Sequence, residues 1–228
     1  MTMPAPRTPE AGRILVIIGH PREGSLNHSL AQRYIQTLRD NGHQERDIDV
    51  IDLAHQTPEL HPELQHLRAQ GGETSHLTEQ QQQWIDSVQT ARHIVVFFPQ
   101  WWGTYPGVLK GFFDLTFLSG VAFLHDKTIP QALLKGRTAR IVMTMDSPRW
   151  WNRIMYRNAA ETSLKIAIFR YVGIRVTGIT RLTPVRTSTD QGRKRWLDTI
   201  TKQALRDMRA LPKPAATPAP QPNAVATK

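Results

Sequence analysis

HIVVFFPQWWGTYPGVLKGFFDLTFLSGVAF, residues His93–Phe123, is the stretch from which the fold is read. Its apolar run Ile94–Phe98, rich in β-branched and aromatic residues, has the pattern of a strand buried on both faces. Pro99 breaks the run, and two tryptophans, a glycine, a tyrosine and a second proline follow. The chain then turns to an apolar helical pattern carrying one Lys110–Asp114 charge pair. Strand, aromatic loop and helix in that order place the loop at the carboxyl end of a parallel strand, where open α/β sheets bind ligands. Two tryptophans there suit a flat, partly apolar ligand.

A similar unit stands upstream. Arg13–Ile18 is a continuous apolar run, Gly19–Ser25 a loop, and Leu26, Leu30, Tyr34 and Leu38 mark the buried stripe of a helix that Ser25 would cap. Free amides at a helix start favour an anion. The loop contains neither Gly-Lys-Ser/Thr nor G-x-G-x-x-G. What it offers is His20, Ser25 and Asn27, neutral donors that suit a phosphate monoester; an ordinary connection with incidental polar residues fits the same letters.

Ile48–Leu53 alternates as an edge strand would, and Thr57–Ser75 is a long polar stretch. The histidines and acids near it (His55, His61, His66, Glu59, Glu63) match no standard ligand spacing, so no metal site is expected. Thr78 and Gln81 resemble a capping box opening a helix through Trp84, Ile85 and Val88. Arg140–Met145 reads as a fourth strand, with Asp146–Trp151 as its loop. Asn158–Phe169 reads as a helix, Ile174–Ile179 as a fifth strand weakened by Gly178, and Gln191–Leu211 as a last helix. This order predicts an α/β domain over residues 13–211, a doubly wound five-stranded parallel sheet of flavodoxin-like type. A loose leader (1–12) and a disordered Pro/Ala-rich tail (212–228) are expected to flank it. The loops His20–Asn27, Pro99–Tyr105 and Thr144–Trp151 then share one sheet edge.

Composition narrows the chemistry. The 228 residues carry no cysteine, which excludes disulfides, thiol nucleophiles and iron–sulfur ligation. No signal-peptide core opens the chain and no apolar run approaches a membrane span, so a cytoplasmic protein is expected. The formal charge is +10, and it is uneven: between Lys135 and Lys213, 18 Lys and Arg stand against 5 Asp and Glu, while the remainder has 11 against 14. With no recognised nucleic-acid motif beside it, this reads as a solvated basic face rather than a specific nucleic-acid surface.

Gly19-His-Pro-Arg-Glu-Gly-Ser-Leu-Asn27 resembles the first loop of the NAD(P)H:quinone oxidoreductase family, the flavodoxin-2 group. Phe98-Pro-Gln-Trp-Trp-Gly-Thr-Tyr-Pro106, followed by Leu109-Lys-Gly111 and Phe123, resembles that family's flavin-ring loop and next helix, and the likeness runs from about Arg13 to Pro184. It implies a bound flavin, FMN or alternatively FAD, in a homodimer whose flavin lies near the subunit interface. His20, Ser25, Leu26 and Asn27 would hold the phosphate, and Pro99, Gln100, Trp101, Trp102 and Gly103 would line the ring. Thr144, Met145, Asp146 and Ser147 would approach its pyrimidine edge, where many relatives carry glycines. Tyr105 and Trp150 would face the substrate. Well-known members relay protons through a tyrosine and a histidine beyond this loop. This chain has no histidine after His125, which leaves Tyr156 as the relay candidate.

The resemblance implies ping-pong chemistry: NAD(P)H reduces the flavin in two electrons and leaves, and a quinone, nitro or azo compound takes its place. Two alternatives are an ancillary subunit docking on a glutathione-gated potassium-efflux transporter and a flavodoxin-type electron carrier. A serine hydrolase is disfavoured, since no G-x-S-x-G occurs.

Overall fold

The structure is a computed structural model that describes residues 7–125 and 130–212. The first six leader residues and the tail beyond Pro212 therefore lie outside the described residues. From the amino end, β1 (Ile14–Ile18) leads into α1 (Leu26–Asp40), β2 (Ile48–Asp52), α2 (Glu79–Thr90), β3 (His93–Pro99) and α3 (Gly107–Thr116). A short antiparallel pair, β4 (Phe123–Leu124) and β5 (Gln131–Ala132), precedes β6 (Thr138–Thr144). The chain continues through α4 (Arg149–Ile154), α5 (Ala159–Thr162) with a π-helical extension (Ser163–Arg170), β7 (Arg175–Leu182) and α6 (Asp190–Ala210).

The five long strands pair in the order β2-β1-β3-β6-β7, all parallel. The chain starts inside the sheet and winds outward both ways, so the crevice above β1 and β3 is the topological switch point. Every residue of β1 and β3 is buried, and alternation divides them between two cores. Leu15, Ile17, Ile94, Val96 and Phe98 pack beneath α2 and α3 with Trp84, Leu109 and Phe112. Ile14, Val16, Ile18, Val95 and Phe97 pack beneath α1 and α6 with Leu30, Tyr34, Ile200 and Ala204. An apolar run without visible periodicity is what a two-sided core requires.

The expected elements recur with shifted ends, and three differences have physical causes. The expected helix over 158–169 is a single α-turn passing into π-geometry. The loop after β6 holds a helix of its own, α4, begun at Pro148, whose fixed φ suits a helix start. Gly178 does not end the fifth strand. It lies beside a register shift between Ala139 and Arg140, and the Arg140 guanidinium passes where its Cβ would stand. The absent side chain lets Arg140 reach Asp207 on α6 through two bonds of 2.6 Å each.

Asp207 also accepts from Tyr34 Oη at 2.9 Å and faces His93 Nε2 at 3.3 Å. Burial alone would raise the Asp207 carboxyl, but hydrogen bonds and charge from Arg140 and His93 hold it well below the usual carboxylate range. This buried cluster ties α1, α6 and the sheet together. Residues 7–12 are also held down: the Arg137 guanidinium donates to the Arg7 carbonyl at 2.8 Å, and Glu10 N–H donates to Thr90 O at 2.9 Å. Among the described residues, no helix is long and apolar enough to cross a membrane.

Candidate active site

Ile18 and Phe97 are partners across β1 and β3, and Pro99 and Thr144 across β3 and β6, so three loops leave the sheet side by side. They enclose an open cavity of about 220 Å³ lined by His20, Arg22, Ser25, Leu26 and Asn27 from the first loop, Pro99, Gln100 and Trp101 from the second, and Thr144, Met145 and Asp146 from the third, with Val185 beyond them.

The first loop supplies donors. His28 and Ser29 N–H already bond to Ser25 O, so the amides of Leu26 and Asn27 precede the helix ladder and have no helical acceptor. Ser25 holds the cap position of α1 but forms no side-chain cap bond. Its Oγ lies instead 2.7 Å from His28 Nδ1, and His28 Nε2 lies 3.1 Å from both Asp52 oxygens. The Arg22 N–H donates to His20 Nδ1 at 3.0 Å. Burial, then the charge of Arg22, lowers the His20 pKa. His20 is thus a neutral ring whose proton sits on Nε2. Asn27, 2 % exposed, donates through Nδ2 to Thr144 Oγ1 at 3.0 Å, and its Oδ1 has no partner. An unpaired buried acceptor at a cavity wall is costly unless a ligand donates to it.

The second loop is a tight turn. Trp101 and Thr104 exchange N–H to carbonyl bonds of 2.9 Å each, and the two residues between them, Trp102 and Gly103, have φ of 51° and 76°. Both central φ are positive, as a type I′ hairpin turn requires. The turn presents Trp101, whose ring meets His20 edge-on at 5.5 Å, to the cavity. Gln100 N–H donates to Thr144 O at 2.7 Å, and its side-chain amide donates to Asn152 Oδ1 at 2.6 Å. Asn152, fully buried on α4, also donates to Glu161, which Arg181 engages at 2.7 Å.

The third loop carries the acid that departs from the resemblance. Asp146 Oδ1 accepts from Arg186 N–H at 2.6 Å, and Val185 N–H donates to Met145 O at 3.1 Å. The carboxylate is thereby engaged, and the segment after β7 becomes a fourth wall.

Of the residues expected at a site, His20, Ser25, Leu26, Asn27, Pro99, Gln100, Trp101, Thr144, Met145 and Asp146 meet at this cavity; Trp102, Gly103, Tyr105, Ser147, Trp150 and Tyr156 are not among its lining residues. Trp102 is fully exposed because the left-handed turn swings it outward. Gly103 forms the turn but faces Tyr156, whose ring atoms would stand 3.4 Å from a Cβ there. Tyr105 is a core residue: it packs on Phe98, and its hydroxyl lies 3.3 Å from Ser163 Oγ. Ser147 turns its carbonyl to Thr183 Oγ1 at 2.7 Å. Trp150 is exposed on α4 and packs edge-on against Trp151. Tyr156 rests against Trp151 and the Gly103 turn.

Arg22, Val185, His28 and Asp52 were not singled out from the sequence. Arg22 was legible as a cation inside an anion-binding loop, and Val185 as a residue following a strand at the same edge. The pairing of His28 with Asp52 depends on β1 and β2 lying side by side.

A profile of the flavodoxin-like fold family matches residues 12–204. An uncharacterised NAD(P)H oxidoreductase of Haemophilus influenzae is 24 % identical over 203 residues, 86 % of this chain and 96 % of the relative. An FMN-dependent NADH:quinone oxidoreductase of Bacillus cereus is 28 % identical over 142 residues, 56 % of this chain and 66 % of the relative. Among solved structures, Smu.1420 of Streptococcus mutans superposes with a TM-score of 0.68 at 26 % identity, over 84 % of this chain and 98 % of that one. An FMN-dependent NADH-azoreductase of Bacillus anthracis, solved with FMN, superposes at 0.70 over 86 % of this chain and 99 % of that one; at 18 % identity it shows the fold. The chain belongs to the flavodoxin-2 family of flavodoxin-like proteins, where its relatives are named NAD(P)H oxidoreductases and quinone reductases.

Proposed function

We propose that this protein is an FMN-dependent NAD(P)H oxidoreductase reducing flat aromatic acceptors of the quinone or azo type by a ping-pong sequence. The observation that carries the reading is the convergence, at one switch point, of unpaired helix-start amides, an unpaired buried acceptor and an aromatic ledge. The residues fit the cofactor in chemistry. The amides of Leu26 and Asn27, His20 Nε2–H and the Arg22 cation suit a phosphate, and Asn27 Oδ1 suits a hydroxyl of a polyol chain. Pro99, Gln100 and Trp101 would flank the ring, with Thr144 and Met145 at its polar edge.

When bound, FMN would supply the two-electron redox chemistry between NAD(P)H and the second substrate. The protein's own work is positioning. The Gln100–Asn152–Glu161–Arg181 chain locks the second loop to α4, and the Arg186 amide keeps the Asp146 carboxylate engaged, limiting its repulsion of a reduced, anionic ring. The exposed Trp102, Trp150, Trp151, Ile154 and Met155 form an apolar rim reached through Tyr156, which touches both Gly103 and Trp151. In this reading a second copy of the chain covers the rim and completes the acceptor pocket.

The test is the visible spectrum of the purified protein, mass analysis of the released cofactor, and anaerobic bleaching by NADH against NADPH. A yellow protein releasing FMN and bleached by either donor is expected. A colourless protein that takes up no added flavin overturns the reading, and a flavoprotein that neither donor reduces makes it a carrier.

A further inference from the structure

His28 does not line the cavity, yet it controls a residue that does. Ser25 Oγ lies 2.7 Å from His28 Nδ1, and His28 Nε2 lies 3.1 Å from both oxygens of Asp52. Ser25 and His28 are buried, at 3 % and 6 % exposed. A carboxylate only accepts, so Nε2 carries the hydrogen that faces Asp52. In the neutral ring Nδ1 is then bare, and Ser25 must donate its single hydrogen to it. Ser25 in that state shows the cavity only lone pairs, which repel an anion. In the imidazolium, Nδ1–H donates to Oγ instead, and the Ser25 hydrogen is released toward the cavity. The hydrogen-bond count therefore couples the donor state of Ser25 to one proton on His28.

We propose that Asp52, His28 and Ser25 form a proton-coupled anion clamp: a phosphate group seated at the start of α1 is bound together with one proton, taken up on His28. This deepens the proposed function and rests on its phosphate placement. Every charged neighbour fits such a coupling. The charged groups about the ring are the positive end of α1, Arg22 of the first loop, and Asp52, whose oxygens lie 3.1 Å from Nε2. A dianion arriving at the same helix end offsets the first two. His20, ring to ring 6.3 Å from His28, is held neutral by burial and Arg22 and adds no competing charge. His55 Nε2 lies 2.7 Å from Glu23 and farther, 3.8 Å, from Asp52, so Glu23 is its nearer carboxylate. His28 acts through Ser25 and is a positioning residue.

The experiment compares FMN with riboflavin, which lacks the phosphate, binding to the full-length apoprotein between pH 7.5 and 9. There a phosphate monoester is already dianionic, its second pKa being about 6. Calorimetric titration in two buffers of unlike ionisation enthalpy counts the protons. FMN binding is expected to take up as much as one proton, and its affinity to weaken by up to about tenfold per pH unit. Riboflavin should show neither effect. His28→Asn removes the group that takes up the proton; it should lose both the uptake and the pH slope. Ser25→Ala should bind FMN about tenfold or more weakly, again without uptake, and His20→Asn should keep the uptake. If wild type prefers FMN but takes up no proton, or if uptake survives in either His28→Asn or Ser25→Ala, the clamp is overturned while the phosphate placement stands. If wild type binds both flavins equally or neither, the clamp and the proposed placement fall together.

Discussion

The Asn27 side-chain amide donates to Thr144 Oγ1 at 3.0 Å, joining the first turn of α1 to the carboxyl end of β6, 117 positions later in the chain. The bond crosses the switch point and sets the width of the candidate site, because Gln100 N–H is held by the carbonyl of the same Thr144 at 2.7 Å. All three loops are thus referred to two residues.

Asn27→Ala breaks that strap. Loss of a buried hydrogen bond that leaves its partner unpaired costs about 1–3 kcal/mol. Urea unfolding should record a loss in that range, and fluorescence quenching should show FMN affinity lowered by about tenfold or more. Unchanged affinity in a folded variant would remove Asn27 from the site.

The turn at Trp102 and Gly103 predicts opposite responses at neighbouring positions. Gly103→Ala adds a methyl at φ 76° against the Tyr156 ring and should cost about 1–2 kcal/mol. Trp102→Asn places a residue tolerant of φ 51° where the native ring is fully exposed, and stability should hold or rise. Melting temperatures of the two variants check the contrast.

Asp207→Asn leaves the buried Arg140 without its counter-charge. Breaking one side of a buried ion pair costs about 3–5 kcal/mol. Asp114→Asn, which removes the exposed Lys110–Asp114 pair on α3, should cost about 1 kcal/mol or less. Chemical denaturation of both variants, read against wild type, tests the difference.

Acid should weaken the fold through histidines kept neutral. Burial lowers the pKa of both His20 and His43 from the ordinary 6.5. The unfolded chain therefore binds these protons first as pH falls. Their contribution is fully present above about 6.5 and is lost as pH drops toward the folded values. Urea midpoints should decline from pH 7 to pH 5, and His43→Gln should flatten that decline.

The strands and their two-sided burial were legible because apolar runs bounded by Gly19, Pro99 and Thr144 cannot be covered except by helices on both faces. Gly178 was misleading. In isolation a glycine weakens a strand, and here its missing side chain makes room for a guanidinium crossing from the neighbouring strand. Tyr105 misled in the other direction: its place in an aromatic loop suggested a ligand, while packing on Phe98 turned it into the core.

The sequence by itself determined the element order, the parallel sheet, and which three loops share its carboxyl edge, since these follow from local periodicity and from the handedness of β-α-β connections. Tertiary structure alone decided which side chains of those loops face one another. The outward swing of Trp102 depends on backbone φ, the engagement of Asp146 on a segment forty residues away, and the Ser25–His28–Asp52 chain on the register of β1 against β2. Periodicity specifies the face on which a residue lies. Hydrogen-bond partners separated in sequence are set only when packed elements bring donor and acceptor within about 3 Å.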